Sequence, residues 1–209
     1  VLKDLKMHRL LTIAVAVVLC GCSRDFWASG VKRRRADENY RAEVAAEAEK
    51  LGLPASYFLA LITLECSGRK PCGSRYEPTR YEDLEAVRDG SKSRFENIRK
   101  SDVHDATDAA LTNLATSWGP FQIMGYKCIG LGVNVADIRG DRSIHHGMRW
   151  VAKDYGHLLK QGRFKDAFHV HNAGTLHPKD GQARTHDPRY VQRGLAYMEW
   201  FESTLMDAP

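Results

Sequence analysis

The sequence predicts a mainly α-helical domain, on three observations. Apolar residues recur at spacings of three and four through much of the chain, the period that places them on one face of a helix. Glycines and prolines punctuate these runs where helices stop and start. No stretch shows convincing apolar–polar alternation, and no internal repeat appears. With 209 residues, 43% hydrophobic and 27% charged, the chain suits one domain with its own core better than two.

The N-terminus comes first. Lys3, Lys6 and Arg9 precede an apolar run from Leu10 to Leu19, broken only by Thr12. A helix of that length spans about 15 Å, half of a bilayer core of about 30 Å. The run therefore reads as a secretory signal peptide over 1–21, with Met7 as an alternative start. It ends in Leu19-Cys20-Gly21-Cys22, which resembles a bacterial lipobox. That resemblance implies a lipid on Cys22, export, and anchorage to a membrane of the cell envelope, facing the periplasm. Residues 22–36 are expected to be a polar, basic tether, with Lys32-Arg33-Arg34-Arg35 as solvated linker. The folded domain is expected over 37–209.

From Asp37, Tyr40, Val44, Ala48 and Leu51 mark a helix that Gly52 stops. Pro54 opens a second, with Phe58, Leu61, Ile62 and Glu65 on one face. The stretch 69–100 is charged, lacks a clear period, and is expected to be an inserted irregular arm. A helix near 102–115 would turn Ala110, Leu111 and Leu114 inward. Ile144, Met148, Val151, Tyr155 and Leu158 form a long stripe, and Phe164, Ala167, Phe168 and His171 a shorter one that ends at Gly174. Asp187-Pro188 is a strong start signal for the last helix, whose inner side is Val191, Leu195 and Met198.

Glu65 is the unusual residue. It continues an apolar face, and a carboxyl partly withdrawn from water has a raised pKa. Such a group suits general-acid chemistry near neutral pH. The competing reading is a helix-end glutamate bonded to a backbone amide. Ser117-Trp118-Gly119-Pro120-Phe121-Gln122-Ile123-Met124-Gly125 then sets Gln122 among apolar neighbours, where its amide needs partners. Gly119 would admit close approach of a ligand to the backbone. In His169-Val170-His171-Asn172-Ala173-Gly174 a helix ends with Asn172 in its last turn, and Tyr190 follows.

These segments resemble the lytic transglycosylases of the lysozyme-like superfamily. The family's motifs correspond here to Glu65-Cys66-Ser67-Gly68, Gly119-Pro120-Phe121-Gln122-Ile123-Met124, Ser143-Ile144-His145-His146-Gly147-Met148-Arg149-Trp150, His171-Asn172-Ala173-Gly174 and Tyr190, in that order over roughly 40–205. Two departures stand out: Cys66 replaces the usual serine, and His171 stands where the family has tyrosine. The 117–125 segment also resembles phage and bacterial N-acetylmuramidases. The resemblance implies a goose-type, lysozyme-like helical domain with a cleft for peptidoglycan glycan strands. Glu65 would be the catalytic acid at the bond between N-acetylmuramic acid and N-acetylglucosamine. Ser67, Gly119, Gln122, Met124, Asn172 and Tyr190 would serve the substrate. A transglycosylase needs no second carboxylate and leaves a 1,6-anhydro end; a muramidase needs one, with Glu77 first and Glu82 and Asp83 behind it.

Other classes are weaker. The net charge of +5 fits an anionic partner, but no basic stripe interleaved with aromatics points to nucleic acid. His145-His146 and His169-x-His171 could suggest a metal, yet i and i+2 on a helix diverge and no His-Glu-x-x-His occurs. No metal or other cofactor is expected. A non-catalytic wall-binding module would keep the cleft and dispense with the acid. Of the later cysteines Cys66, Cys72 and Cys128, only two could pair within the chain, and Cys66–Cys72 would close a short loop beside Glu65.

Overall fold

The computed structural model describes residues 29–206. The signal peptide assigned to 1–21, Cys22 and the first part of the expected tether lie outside the described residues. Ten helices run in order: α1 (29–51), α2 (Ala55–Cys66), α3 (Pro78–Asp89), α4 (Lys100–Val103), α5 (Asp108–Leu114), α6 (Lys127–Leu131), α7 (Val135–Arg139), α8 (Ser143–Lys160), α9 (Phe164–Ala173) and α10 (Tyr190–Met206). Five short strands accompany them: β1 (Arg75–Tyr76), β2 (Arg94–Phe95), β3 (Ile98–Arg99), β4 (Thr116–Trp118) and β5 (Ile123–Met124). The protein is mainly α. Among the described residues no helix is long and apolar enough to cross a membrane.

The centre of the main core is α2. Every residue from Tyr57 to Ile62 is fully buried, so the helix is apolar all round rather than on one stripe, as a helix wrapped by others must be. α10 packs along it. α1 contributes Ala36, Tyr40, Val44 and Ala48, and α8 contributes Ile144, Met148, Val151, Tyr155 and Leu158, the predicted stripes. Gly147 on α8 is needed for contact. A Cβ there would stand 2.3 Å from the Phe121 ring.

A second, smaller core holds Leu84, Val87, Phe95, Ile98, Val103, Leu111, Ala115 and Tyr126. It belongs to the lobe 75–126. There β1, β4 and β5 form an antiparallel sheet with registers Arg75↔Ser117 and Trp118↔Ile123, and β2–β3 form a separate hairpin.

Two expectations need correction. Residues 29–36 are not tether but the first turns of α1. Ala36 is fully buried, and the Arg33 guanidinium lies 5.0 Å over the Trp200 ring and 5.8 Å over that of Tyr197. A cationic run on a helix can bury its stems against aromatic faces, which charge alone does not reveal. The arm at 69–100 is not irregular throughout either. α3 and the β2–β3 hairpin occupy it, with Leu84, Val87, Phe95 and Ile98 buried. Their apolar positions are too sparse among charges to show a period.

Candidate active site

Glu65 occupies the last turn of α2, and Ser67 ends that helix as a left-handed cap at φ 57°. The apolar surroundings of α2 leave the Glu65 side chain only 15% exposed. Burial pushes its carboxyl up from the ordinary 4.5 to about 7, and the hydrogen bond that Tyr190 Oη donates to Oε1 pulls the other way. The described residues hold no Lys or Arg paired with it. The carboxyl is thus half-protonated near neutrality, for the reason expected of it: desolvation outweighs the one good donor.

Its neighbour is His171, with Nε2 3.9 Å from Glu65 Oε1. Burial drives His171 down to about 4, against the hydrogen bond to the Phe121 carbonyl, so the ring is neutral. The hydrogen-bond network assigns its tautomer. The Phe121 carbonyl, 3.0 Å from Nε2, can only accept, so Nε2 carries the proton. Nδ1 then accepts from Tyr155 Oη at 2.7 Å, and Tyr155 Oη accepts from Tyr57 Oη at 3.3 Å. The phenols of Tyr57, Tyr155 and Tyr190 are all pushed up by burial. Glu65 is therefore ringed by neutral polar groups, and nothing there favours its charge strongly.

A groove of about 310 Å3 runs past this cluster, lined among others by Gln122, Met124, Tyr126, Trp150, His171 and Asn172. Glu65 adjoins it through His171. Of the residues singled out in the sequence, Gln122, Met124 and Asn172 line this groove and Tyr190 bonds Glu65, whereas Ser67 and Gly119 do not line it. Gln122, at φ 48°, is occupied by the protein. Its Nε2 donates to the carbonyls of Gly73 at 2.8 Å and Gly119 at 2.9 Å, while Oε1 accepts from Ser117 at 3.0 Å. Its donors are spent, so it shapes the groove wall more than it can bind. Gly119 admits no ligand of the expected kind either: a Cβ there would meet the Ile138 carbonyl at 2.3 Å, so it is the backbone of α7 that approaches. Met124 lines the groove from β5. Asn172 accepts from the His186 N–H at 3.1 Å through Oδ1, while its amide NH2 makes no hydrogen bond among the described residues.

No family model, no curated protein and no solved structure matches this chain. The site stands on its geometry alone.

Glu77 is not assembled with Glu65. It caps α3 and pairs with Arg75 at 2.9 Å, and it does not line the groove. Glu96 does, although it is not among the residues singled out in the sequence. It sits at φ 49° in the β2–β3 turn. Burial raises its pKa, but hydrogen bonds from Lys127 Nζ at 2.5 Å and Tyr126 Oη at 2.7 Å, with the Lys127 and Arg80 charges, hold it below the usual carboxylate value. An acidic residue flanked by Phe95 and Asn97 was the available signal, but only the fold places it on the groove. Trp150, which the sequence offers only as the end of the 143–150 motif, is half-buried and lines the groove.

His169 and His145 are each engaged by other parts of the protein. His169 Nδ1 lies 2.6 Å from the Thr175 carbonyl and Nε2 accepts from the Arg184 N–H at 3.0 Å, while His145 meets Glu47 at 3.1 Å. No group of three or more His, Cys, Asp or Glu among the described residues could hold a metal ion.

Proposed function

We propose that this protein is a peptidoglycan-cleaving enzyme with a lysozyme-like domain, acting as a lytic transglycosylase with Glu65 as its acid and base. One observation carries the reading: a carboxyl held near pKa 7 by burial, bonded by Tyr190 and set beside a groove of sugar-sized dimensions. The order of motifs from Glu65 to Tyr190 supplies the substrate class. Export and a lipid on Cys22 would bring the enzyme to the wall near a membrane.

In the first step protonated Glu65 donates to the oxygen between N-acetylmuramic acid and N-acetylglucosamine. That bond breaks and positive charge gathers at the anomeric carbon. The acetamido oxygen of the muramyl residue then shields that carbon. Glu65, now ionised and bonded by Tyr190, takes the proton of the muramyl C6 hydroxyl as its oxygen closes the 1,6-anhydro ring. The carboxyl returns to its starting form, and no water is consumed. Neutral His171 lies beside the acid without quenching it: a protonated ring at 3.9 Å would stabilise the carboxylate and lower the pKa. The free NH2 of Asn172 suits a sugar hydroxyl or N-acetyl carbonyl, and the half-buried Trp150 suits the apolar face of a pyranose.

Glu77 is engaged with Arg75 and Glu96 with Lys127 and Tyr126, but Asp154 also lines the groove, so the route needing no second carboxylate is favoured by the resemblance of the motifs. Glu96 and Asp154, both on the groove, give hydrolysis its alternative second carboxylates. Digestion of purified sacculi with mass analysis separates the two. An anhydro end is lighter than a reducing end by one water, about 18 Da. Anhydro products are expected. Reducing ends would assign the muramidase reaction, and intact sacculi would overturn both.

A further inference from the structure

Cys66 follows Glu65 and closes α2, and six residues later in the exit loop comes Cys72. Both sulfurs converge on one atom. Cys66 Sγ lies 3.5 Å and Cys72 Sγ 3.0 Å from the Arg69 carbonyl oxygen. Tyr40 Oη, reaching over from α1, donates to that same oxygen at 2.5 Å and stands 3.3 Å from Cys72 Sγ. The two thiols are close enough to perturb each other's ionisation. Their exposures differ. Cys66 is buried, whereas Cys72 borders a surface pocket of about 260 Å3 together with Lys70 and Arg139.

This is the arrangement of an attacking and a resolving thiol. The neighbouring Cys66 thiol, then Tyr40 and the Lys70 charge, hold Cys72 below the usual thiol value despite burial. The neighbouring Cys72 thiol and burial push Cys66 up. Thiolate character and access together decide which sulfur reacts first.

We propose that Cys66 and Cys72 are a redox pair that closes into an intramolecular disulfide beside the acid. The Cys72 thiolate attacks a disulfide-bearing oxidant, forming a mixed disulfide and expelling one thiolate. Cys66 loses its proton and displaces the second thiol of the oxidant. The two cysteines lose two electrons and two protons, and the oxidant's disulfide becomes two thiols. Cys128, buried on α6, takes no part.

The bond would fix more than its own loop. The residue after Cys72 is Gly73, whose carbonyl accepts from Gln122 Nε2 at 2.8 Å. A Cys66–Cys72 link therefore ties the end of α2, with Glu65, to the hairpin that walls the groove. The redox chemistry itself depends on no reading of catalysis.

The test uses the full chain after incubation with glutathione disulfide. Alkylation under denaturing conditions followed by trypsin reports the pairing, because cleavage after Arg69 separates the two cysteines into different peptides. The expected result is one linked pair of peptides carrying Cys66 and Cys72, with Cys128 alkylated. Closing this short loop should raise Tm by about 5 °C over the reduced protein. Cys72→Ser should remove that redox dependence, and Cys128→Ser should keep it. Full alkylation of both cysteines, a stable glutathione adduct on Cys72, or pairing of either with Cys128 would each overturn the proposal. Loss of the wall-cleaving activity would not bear on it, since the peptide map reads the bond directly.

Discussion

Two regions of the molecule each bring a carboxylate toward the same groove, and they treat it in opposite ways. The main helical core presents Glu65 among buried tyrosines and a neutral histidine, and its pKa climbs to about 7. The 75–126 lobe presents Glu96 with Lys127 and Tyr126, and its pKa falls despite the burial that pushes it up. Burial alone therefore does not make an acid. What counts is whether the partners that replace water carry charge. A cation compensates the lost hydration of Glu96, and a single phenol does not compensate that of Glu65.

That contrast can be broken by exchange of charge for amide. Glu65→Gln should lower sacculus cleavage by on the order of 10³-fold while glycan binding persists, the scale of a positioned general acid. Glu96→Gln should leave the rate within about threefold and the product unchanged, measured in the same digestion. Equal losses in both variants would erase the distinction between the two regions.

Stability offers the next largest effect. The Glu65 carboxyl binds its proton more tightly folded than unfolded, with values of about 7 and 4.5. Its contribution is thus complete below pH 4.5 and is lost as pH rises through 7. Above that, the wild type carries a penalty of about 3 kcal/mol that Glu65→Gln lacks. Urea melts from pH 4 to 8 should show the variant gaining on the wild type over that window. His171 gives the mirror image. Its folded value near 4 lies below the ordinary 6.5, so the stability it contributes above pH 6.5 is lost as pH falls toward 4. His171→Gln should flatten that acid limb in the same melts.

Tyr190→Phe sharpens the comparison from the other side. Removing the one donor that favours the Glu65 charge should raise its pKa further and move the alkaline limb of the activity profile upward. The lost hydrogen bond should cost about 1 kcal/mol. A downward move of that limb would show that Tyr190 favours the protonated form instead.

Much of this contrast was legible in the sequence on one side only. Glu65 stood out because Phe58, Leu61 and Ile62 precede it at helical spacing, so its burial followed from period alone. Tyr190 and Asn172 lay in recognisable positions, although Asp187-Pro188 starts α10 slightly later than its signal suggests, at Tyr190. The hydrogen bonds of Gln122 could not be read from the sequence, because Gly73 reaches it only when β1 pairs with β4. Glu96 was not singled out. Its place on the groove is set by a two-strand hairpin packed on α3, and its charge by Lys127, thirty-one residues away. Glu77 was favoured through a local string and proved to be paired with Arg75. Long-range contacts decide such roles, and local period does not carry them. The basic run at 32–35 was misread for a related reason: Trp200 and Tyr197, which cover Arg33, lie at the other end of the chain.

The central claim concerns one proton. Titration of the Glu65 side-chain carboxyl carbon by NMR, assigned by its loss in Glu65→Gln, follows that proton directly. A midpoint near 7 is expected. A midpoint near the ordinary 4.5 would contradict it, since a carboxyl ionised at neutral pH has no proton to give the glycosidic oxygen.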